Sequence, residues 1–569
     1  MYLGIDVSTQ SISGVISDSE FAIVATASVS LATLGFGSPF VRNGDEVLAP
    51  SRMFAAALEK LLVALVEEEG VDLGEIEAVS GCGQQHGSVF WTKGAEGLLK
   101  NLDPNVALAA QLADAFALPL APIWMDSSST KWCRALEDHV GGPGPLANLT
   151  GSRAYERFTG NQIAKIVELR NPEFSVCERI SLISSMIPSL LAGRYIGIDH
   201  SDASGMNLLD IKSKQWVPAL LAGIAGRSTT GDVIKLLLGP PQVPYMPIGT
   251  ISNYFVERFG FSPDCKLFPF TGDNPSTLAG LGISAPGDLA ISLGTSDTAF
   301  AVVEAAHCRP SGGEGHVLVN PVDPSTFIVM LCFKNGSLAR EAIRDKCCFP
   351  QTWDEFNKVL SQTPPGNLGY LGFFHPDPEI TPPTAKPATH VFAPSSKRPI
   401  TPSPHRVPED PAVPHKVQVR AVVETHCLRL QHHARFLGVT SINRILVSGG
   451  ASANDSILQV LANVFNVPVY LVDNPAISTN AAAYGGCLRA AHGLLCADKA
   501  EQIIERDGGV VLDEAELAKK SYVPYDPEIA LKVVATPQPE YVRVYAGMLE
   551  RFGSLEKISV ELSQNERLW

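Results

Sequence analysis

Several features that would assign this chain to a class at once are missing from its sequence. The 11 cysteines are scattered through 569 residues without a CxxC pair, so neither a disulfide framework nor a zinc knuckle is indicated. Lysines and arginines number 44 against 59 aspartates and glutamates, and the formal net charge of −15 argues against a nucleic-acid partner, because phosphates require a basic face. No run approaches the roughly 18 apolar residues of a membrane span, so no membrane partner is expected.

The first residues, MYLGIDVSTQ, also lack the basic region, apolar stretch and cleavage site of a secretory signal. They have the pattern of a strand that begins at once. Together with the scattered cysteines, this predicts a reducing, cytoplasmic location. Because the chain is acidic, any anionic ligand must be held by local groups or by a metal.

The length and the alternation of apolar patterns predict the fold class. With 45% hydrophobic residues, a chain of 569 residues can bury large cores and is expected to form two or more domains. Residues 51–70 show helical periodicity, and residues 76–91 read as a strand, a polar loop and a strand. Residues 444–450, 456–465 and 467–473 read as a strand, an amphipathic helix and a strand, which is a βαβ unit. The fold class is therefore predicted to be α/β.

An internal similarity links the two halves of the chain. Residues 5–9 (IDVST) align with residues 291–295 (ISLGT), and each apolar run ends in a turn of small and hydroxyl residues before a second strand resumes. Asp6 aligns with Ser292, so the halves share the turn but not its charge. A chance match stays an alternative, because hairpins with Ser, Thr and Gly at the tip are common.

The similarity predicts two domains, residues 1–285 and 286–569, divided just after the helix that Asp273 introduces. The second domain contains a proline-rich segment. Residues 364–415 hold 14 of the 42 prolines, so they cannot form a continuous helix or a central strand. We interpret this segment as a long surface excursion whose last part, residues 383–415, lacks fixed structure.

The common nucleotide-binding loops do not fit the sequence. No GxxxxGK[ST] motif is present, and GCGQQHG (81–87) has neither the glycine spacing nor the following helix of GxGxxG. Two hydroxyl-rich hairpins, 8–11 and 294–298, and a glycine turn at 448–450 remain. Their N–H groups and hydroxyls can hold phosphate oxygens without cationic side chains, and adjacent glycines let a flat base or ribose lie close. This combination suits an acidic protein that binds Mg-ATP.

Two aspartates are candidates for the chemistry. Asp6, at the end of the first strand, either holds Mg²⁺, which nucleotide sites bind through one or two carboxylates, or only bonds the following turn. Asp273, in FTGDNPSTLAG, either only introduces a helix, with Asn274 as cap and Pro275 at the first helical position, or also acts as a base. A helix N-terminus is expected to keep its carboxylate ionised and weakly basic. Phosphoryl transfer tolerates a weak base, because the acceptor hydroxyl loses its proton late.

Nine stretches follow one another in the order of a known family. They are YLGIDVSTQS, GCGQQHGSVFW, TGSRAYERFTGNQIAKI, DASGMNLLD, TGDNPSTLAG, ISLGTSDT, LCFKNGSLARE, GNLGYLGFFHPDPEITP and SGGASANDSILQVLANV. In these stretches the chain resembles the FGGY carbohydrate kinases, and among them most closely the xylulose kinases of eukaryotic type. The resemblance runs from about residue 1 to 495, and the proline-rich segment is its main gap.

The resemblance implies two ribonuclease-H-like domains of the actin and hexokinase type, with ATP and sugar meeting in the cleft between them. It implies transfer of the γ-phosphate of ATP to the C5 hydroxyl of D-xylulose, with Mg²⁺. The expected partners are this sugar and ATP, and the expected assembly is a monomer or a homodimer. Asp273 would be the general base. The implied sugar-binding residues are Gln85, His86, Arg157, Asp273 and Asn274, with Gln84 beside them.

On the nucleotide side, the resemblance implies contacts with adenosine from Gly449, Gly450 and Asn454, with the base from Trp353, and with the phosphates from Thr9, Thr295 and Ser296. The sequence departs from the family at the second turn. Asp297 stands at the last position of the family's GTSG turn, which places an acid beside the expected phosphates. The first turn reads STQS where many relatives have a glycine-rich version.

Three alternatives stay open. Another FGGY kinase acting on ribulose, fuculose, glycerol or gluconate would share these motifs, because hydroxyl stereochemistry cannot be derived from them. An actin- or Hsp70-like ATPase, or a pseudokinase that only binds, needs no sugar site and is disfavoured by Asp273, His86 and Arg157. The third is a metal protein using THCLRLQHHARF (425–436). We expect these side chains instead to scatter around one helix, with Cys427 packed inward.

Overall fold

The computed structural model describes residues 1–400, 413–506 and 513–564. They form two compact units. The first unit comprises Met1–Ser284, Val317–Thr326 and Asn474–Ile529, and the second comprises Ala285–His316, Phe327–Asp473 and Ala530–Trp569. The predicted division after residue 285 does not anticipate the two later segments that fold with the first unit.

The strands are named here in chain order. They are β1 (Tyr2–Val7), β2 (Ser11–Ser17), β3 (Ile23–Ser30), β4 (Val41–Asn43), β5 (Glu46–Pro50), β6 (Ala78–Gly83), β7 (Ser88–Thr92), β8 (Leu120–Pro122), β9 (Cys177–Leu182), β10 (Leu209–Asp210), β11 (Gln215–Trp216), β12 (Lys266–Leu267), β13 (Thr271–Gly272), β14 (Asp288–Leu293), β15 (Asp297–Glu304), β16 (His316–Val319), β17 (Thr326–Phe333), β18 (Leu371–His375), β19 (Ala388–Phe392), β20 (Arg444–Ser448), β21 (Val469–Val472) and β22 (Leu531–Ala535).

The α-helices follow the same order. They are α1 (Ser51–Glu67), α2 (Ala95–Leu99), α3 (Leu108–Gln111), α4 (Thr130–His139), α5 (Pro143–Thr150), α6 (Thr159–Leu169), α7 (Asn171–Ser175), α8 (Ile183–Ala192), α9 (His200–Ser204), α10 (Pro218–Ala225), α11 (Gly231–Leu238), α12 (Asn253–Phe259), α13 (Asp273–Gly280), α14 (Ser337–Cys347), α15 (Trp353–Ser361), α16 (His415–Phe436), α17 (Asp455–Phe465), α18 (Pro475–Thr479), α19 (Ala481–Arg506), α20 (Glu514–Ser521) and α21 (Val542–Gln564).

The main sheet of the first unit has the strand order β12–β6–β1–β2–β3, and β13 also pairs with β6. Strands β1 and β2 form an antiparallel hairpin, whereas β1, β12 and β13 run parallel to β6. Asp6 lies opposite Cys82 of β6, and Cys82 lies opposite Thr271 on its other side. Strands β1 and β13 therefore end on either side of β6, at the same edge of the sheet.

Helices cover both faces of this sheet, which is why β6 is buried along its whole length. On one face, Leu61 and Leu65 of α1 lie over Gly14 of β2. On the other face, α19 comes so close that a Cβ on Gly486 would lie 2.9 Å from the Cα of Gly4 and 2.9 Å from the Cα of Gly81.

Such an approach requires glycine, because any side chain would meet backbone atoms. It accounts for the packing of Asn474–Ile529 in the first unit, although these residues were predicted to belong to the C-terminal domain.

In the second unit, strands β17, β15, β14, β20, β21 and β22 are neighbours in that order. Strands β14 and β15 form an antiparallel hairpin, and β20 runs parallel to β14 on its other side. This repeats the arrangement of β1, β2 and β6, so the predicted similarity of the two hairpins is confirmed. The predicted βαβ unit is also confirmed, as β20, α17 and β21.

The proline-rich segment is partly ordered. Strands β18 and β19 pair antiparallel, and Leu371, Phe373 and Phe392 are buried. The expected lack of structure in residues 383–415 is therefore wrong for β19, whose apolar side chains pack in a core. Residues 401–412 lie outside the described residues.

The helix α16 contains the whole of the suspected metal motif, residues 425–436. Cys427 is buried, as predicted, and His426 and His433 are paired with different acids, Asp297 for the first and Glu314 with Glu556 for the second. Within residues 1–400, 413–506 and 513–564, no group of three or more His, Cys, Asp or Glu side chains is arranged to hold a metal ion.

Among the described parts of the chain, no helix is both long enough and apolar enough to cross a membrane.

Candidate active site

Two aspartates follow neighbouring parallel strands of the first unit. Asp6 lies at the end of β1, and Asp273 follows β13 directly. The thiol of Cys82, on the intervening β6, lies close enough to both carboxylates for their charges to raise its pKa, after the larger effect of burial. The two acids thus occupy one edge of the sheet, with a neutral thiol between them.

The carboxylate of Asp6 is held on both oxygens. Ser8 Oγ donates to Oδ2 at 2.7 Å, and Cys82 Sγ donates to Oδ1 at 3.3 Å. Burial raises the pKa of Asp6 above its ordinary value, although these two bonds favour the charged form.

Asp6 fits a role in holding Mg²⁺. Its negative charge raises the pKa of Asp273, and a cation at this edge would relieve that repulsion. Mg²⁺ bound to nucleotide phosphates needs only one or two carboxylates, which is consistent with the absence of a larger acidic cluster among the described residues.

The helix α13 begins at Asp273 itself, and its cap is Gly272. The prediction that Asn274 caps this helix, with Pro275 as its first residue, is therefore wrong. The side chain of Asn274 turns instead toward its neighbour: its backbone N–H and its Nδ2 both donate to Oδ1 of Asp273, at 2.9 and 3.2 Å.

The protonation of Asp273 also differs from the prediction. Burial and, after it, the charge of Asp6 raise the pKa of Asp273 to about 7, against the opposing effect of backbone N–H groups at the helix start. The expected weakly basic, fully ionised carboxylate is wrong because desolvation outweighs the helix terminus. A base with a pKa near the working pH is well matched to accept a proton.

A side-chain bond joins Asp273 and Asn274 to the loop after β6. Nδ2 of Asn274 donates to Oε1 of Gln85 at 2.9 Å. Gln85 precedes His86, whose φ of 70° lies in the left-handed region that most residues avoid. A strained, buried backbone conformation persists only where surrounding contacts hold it. One such contact is the hydroxyl of Thr159, which donates to the carbonyl of His86 at 3.0 Å.

The ring of His86 has a defined protonation state. Burial and the nearby guanidinium of Arg157 lower the pKa of His86 to about 3, so the ring is neutral at physiological pH. Nδ1 lies 3.0 Å from the carbonyl oxygen of Gly205 and must donate to it, because a carbonyl oxygen can only accept. Nε2 is then an acceptor. The ring stacks on Phe158 with centroids 4.5 Å apart.

Arg157 is held by the same aromatic surface. Its Cζ lies 5.0 Å from the ring centroid of Tyr155 and 5.5 Å from that of Phe158. The first unit thus groups a guanidinium donor with the neutral acceptor of His86. Elsewhere in this unit, the hydroxyl of Thr9 accepts a 2.8 Å bond from Nε1 of Trp124.

In the second unit, the turn after β14 and the turn after β20 lie side by side, because these strands are parallel neighbours. The carbonyls of Gly294 and Thr295 accept from the N–H groups of Ser337 and Gly336, at 2.9 and 3.1 Å. Thr295 is exposed and Ser296 is half-buried. The first residues of α14 therefore fix the backbone of the predicted phosphate turn.

The glycine turn after β20 is shaped by close packing on one side and open space on the other. Gly449 has a φ of 82°, and a Cβ on it would lie 2.7 Å from the carbonyl oxygen of Leu293. A Cβ on Gly450 would meet nothing within 4 Å. The arrangement leaves room for a flat group over Gly450.

The other two predicted adenosine contacts occupy helix starts. Oδ1 of Asn454 accepts from the N–H of Ile457 at 3.2 Å and so caps α17. Trp353 is the first residue of α15 and is half-buried, with the guanidinium of Arg344 4.7 Å from its ring centroid. Trp353 is therefore not a core residue.

The acid at the end of the phosphate turn is neutralised inside the protein. Arg340 donates to both carboxylate oxygens of Asp297, at 2.6 and 3.1 Å, and Nε2 of His426 lies 2.7 Å from Oδ2. Burial alone would raise the pKa of Asp297, but His426 and Arg340 outweigh it and lower the pKa to about 2. The departure from the family turn therefore places no outward-facing charge at the predicted phosphate turn.

Three residues of the candidate site could not be identified from the sequence, because no motif or spacing marks them as functional. Cys82, between the two acids, reads as a core cysteine. Asp202 belongs to DASGMNLLD, which was recognised as a motif, but nothing in the motif indicates that its acid faces Gln85. Trp124 is 45% exposed, and exposure cannot be read from the sequence around it.

The chain is similar to known carbohydrate kinases. The N-terminal domain of the FGGY family of carbohydrate kinases matches residues 110–280, and the C-terminal domain of that family matches residues 289–494. Xylulose kinase of Mus musculus is 41% identical over 573 residues, which cover 99% of this chain and 95% of the relative. Xylulose kinase 2 of Arabidopsis thaliana is 42% identical over 514 residues, 88% of each chain.

The fold agrees with a solved structure. A xylulose kinase from Bifidobacterium adolescentis matches with a TM-score of 0.71 at 20% identity, over 96% of this chain and 98% of that one. The predicted two-domain α/β class is confirmed. On the combined length and identity of these matches, the chain belongs to the FGGY family of carbohydrate kinases.

Proposed function

We propose that this carbohydrate kinase transfers the γ-phosphate of ATP to the C5 hydroxyl of D-xylulose, giving D-xylulose 5-phosphate and ADP. The observation that carries the proposal is the carboxylate of Asp273, which has a pKa of about 7 and is bonded through Asn274 to Gln85. The choice of sugar is supported by the two relatives of 41% and 42% identity, both named xylulose kinases.

In the proposed reaction, the C5 oxygen of the sugar forms a bond to the γ-phosphorus while the bond from that phosphorus to the ADP oxygen breaks. The proton of the C5 hydroxyl passes to the carboxylate of Asp273. Because the transition state of phosphoryl transfer is loose, the proton leaves late, and holding the hydroxyl in place matters more than base strength. Two hydrogen bonds from Asn274 hold the carboxylate for this purpose.

The sugar would be recognised by complementary hydrogen-bonding groups. The neutral ring of His86 offers Nε2 as an acceptor, since Nδ1 donates to Gly205. Arg157 offers only donors. Each sugar hydroxyl can both donate and accept, so a donor and an acceptor held side by side suit a polyhydroxylated chain. Buried groups of this kind discriminate strongly, because a ligand without the matching hydroxyl leaves them unpaired.

The nucleotide is proposed to use residues of both hairpin turns and of the glycine turn. Asp6 would hold Mg²⁺, which when bound neutralises charge on the phosphates. We propose phosphate contacts from Thr9, Thr295 and Ser296, adenosine contacts from Gly449, Gly450 and Asn454, and a contact between Trp353 and the base.

The test is identification of the product. The protein is incubated with Mg-ATP and D-xylulose, and the position of the new phosphate is read from phosphorus–proton coupling by NMR. Coupling to the C5 methylene protons supports the proposal, whereas a C1 phosphate contradicts it. A panel of ribulose, fuculose, glycerol and gluconate is run in parallel. Preference for one of these would keep the kinase activity and replace the sugar.

Two further properties are proposed with this function. We place the protein in the cytoplasm, because its scattered cysteines form no disulfide in the described residues, which suits a reducing compartment. We expect a monomer or a homodimer, which sedimentation of the purified chain distinguishes.

A further inference from the structure

Asp202 is a buried acid that takes no part in the proposed reaction as described above. It lies on α9 and is only 1% exposed. Ser184 Oγ donates to its Oδ2 at 2.6 Å. Its other oxygen, Oδ1, has no well-formed hydrogen bond to the described residues. Buried polar atoms are nearly always paired, so this oxygen requires an explanation.

Oδ1 of Asp202 faces the candidate active site. A Cβ built on Gly272, the residue before Asp273, would lie 3.0 Å from Oδ1 of Asp202 and 2.5 Å from Cγ of Gln85. The three residues therefore converge on one point. The amide of Gln85 is close enough to lower the pKa of Asp202, although burial and the charge of Asp199 raise it well above its ordinary value.

The orientation of the Gln85 amide follows from its other contact. Oε1 of Gln85 accepts from Nδ2 of Asn274 at 2.9 Å, so the amide nitrogen is the end that remains for Asp202. The same Nδ2 of Asn274 also donates to Oδ1 of Asp273 at 3.2 Å. A polar path thus runs from Asp202 through Gln85 and Asn274 to Asp273.

The same segment also supports His86. The carbonyl of Gly205, three residues after Asp202, accepts from Nδ1 of His86 at 3.0 Å. The N–H of Gly205 donates in turn to the carbonyl of Asp202 at 3.0 Å. Asp202 and Gly205 therefore lie against two side chains with proposed sugar contacts, Gln85 and His86.

We propose that Asp202 is a positioning residue for phosphoryl transfer: its second carboxyl oxygen accepts from the amide of Gln85 and so fixes Gln85, Asn274 and Asp273 for the sugar. This inference rests on the proposed function. It explains why position 272 is glycine, since a side chain there would displace both Gln85 and Asp202.

The inference is tested by comparing Asp202→Ala with Asp202→Asn. Asparagine keeps an oxygen that can accept from Gln85, whereas alanine removes it. We expect Asp202→Ala to raise KM for the sugar and to lower kcat by roughly tenfold or more, with KM for ATP within about twofold of the wild type. Asp202→Asn should stay within about threefold of the wild type in all three parameters.

A matched control separates positioning from a general loss of stability. Ser204 lies on the same helix and is buried, but its hydroxyl donates to Ser201 and accepts from Val319, away from Gln85. Ser204→Ala should lower the melting temperature without changing KM for the sugar. An equal rise in KM for the sugar in Ser204→Ala and Asp202→Ala would overturn the inference. A rise in KM for ATP in Asp202→Ala that matches the rise in KM for the sugar would also overturn it.

A further variant keeps the inference testable if Asp202→Ala does not fold. Gly272→Ala has an ordinary φ of −69° at its position and should show the same rise in KM for sugar alone. Unchanged sugar kinetics in Gly272→Ala would contradict the inference.

Failure of the proposed function has a different signature, because it is read from the wild type. If the wild type phosphorylates a different sugar, the variants are compared on that sugar and the same outcomes apply. If the wild type phosphorylates no sugar, the proposed function and the inference fall together.

Discussion

Asp297 and Arg340 form a buried, two-point ion pair beneath the turn that follows β14, with Nη1–Oδ2 and Nη2–Oδ1 distances of 2.6 and 3.1 Å. Nη2 of Arg340 also lies 3.4 Å from the carbonyl oxygen of Gly294, at the start of that turn. The acid that distinguishes this turn from the family pattern is therefore part of its support. Its charge is compensated within the second unit by Arg340 and His426.

The first prediction concerns this pair. Arg340→Leu removes the two-point partner of buried Asp297 and leaves only His426 beside it, which is expected to lower the free energy of unfolding by about 3–5 kcal/mol. The measurement is urea unfolding followed by circular dichroism. Arg170→Leu is the control, because the side chains of Arg170 and its partner Glu173 are both exposed and their pair should contribute about 1 kcal/mol or less. Equal losses in the two variants would contradict the structural role of Asp297.

The second prediction is the acidic limb of the rate profile. A base must be ionised to accept a proton, so kcat/KM for the sugar should fall as pH decreases through the pKa of Asp273, which is about 7. The check is kcat/KM measured from about pH 5.5 to 8.5, with the residual rate of Asp273→Asn expected to lack this limb. A flat wild-type profile over that range would exclude Asp273 as the base.

The third prediction links stability to pH through His433. Burial opposes its charged form, but hydrogen bonds to Glu314 and Glu556 raise the pKa of His433 to about 9. Because the pKa of His433 is higher in the folded than in the unfolded chain, protonated His433 stabilises the fold. This contribution to the free energy of unfolding is complete below the unfolded pKa of about 6.5 and is lost as pH rises through about 9. The neighbouring His432 adds no competing charge, because burial and then the charge of His433 lower the pKa of its ring.

Replacement of His433 measures this contribution. His433→Gln should lower the free energy of unfolding at pH 6 by up to about 3 kcal/mol and change it little near pH 9.5. Urea unfolding of both proteins at the two pH values is the measurement. A difference that grows as pH rises would show that the ring is neutral in the folded protein.

The fourth prediction concerns the contact between α19 and the first sheet. In Gly486→Ala the new Cβ would meet backbone atoms of Gly4, Gly81 and Ser80 at 2.9–3.0 Å, and backbone cannot move aside cheaply. The variant is expected to lose more than about 2 kcal/mol of stability in thermal or urea unfolding. Gly97→Ala is the control in the same unit, because a Cβ there meets nothing within 4 Å. Similar behaviour of the two variants would contradict the close packing.

Local pattern predicted much of the fold. The hairpins of β1 with β2 and of β14 with β15 could be predicted because apolar runs and hydroxyl-rich turns are local signals. The helix that Asp273 introduces was predicted for the same reason, because Asp, Asn and Pro mark a helix start. The packing of α19 was not, because a glycine in a helix does not reveal which backbone it approaches.

The electrostatics of the site depend on contacts that are distant in sequence. The pKa of Asp273 is raised by burial and by Asp6, which is 267 positions away. The expectation from the helix terminus, that the carboxylate stays ionised and weakly basic, therefore gave the wrong direction for the pKa shift. Asp297 pairs with Arg340 on another element, and this turns an expected surface charge into a buried one. In both cases tertiary contacts outweigh the local effect.

The central claim is that Asp273 is the base of a sugar kinase, and its most direct test is release of ADP from Mg-ATP with D-xylulose, measured for the wild type and for Asp273→Asn. Asparagine preserves the size of the side chain and cannot accept the proton. We predict sugar-dependent ADP release by the wild type and a loss of roughly a hundredfold or more in kcat for the variant, while D-xylulose binding measured by calorimetry persists. Near-normal turnover by Asp273→Asn would contradict the account and leave Asp273 as the first residue of a helix.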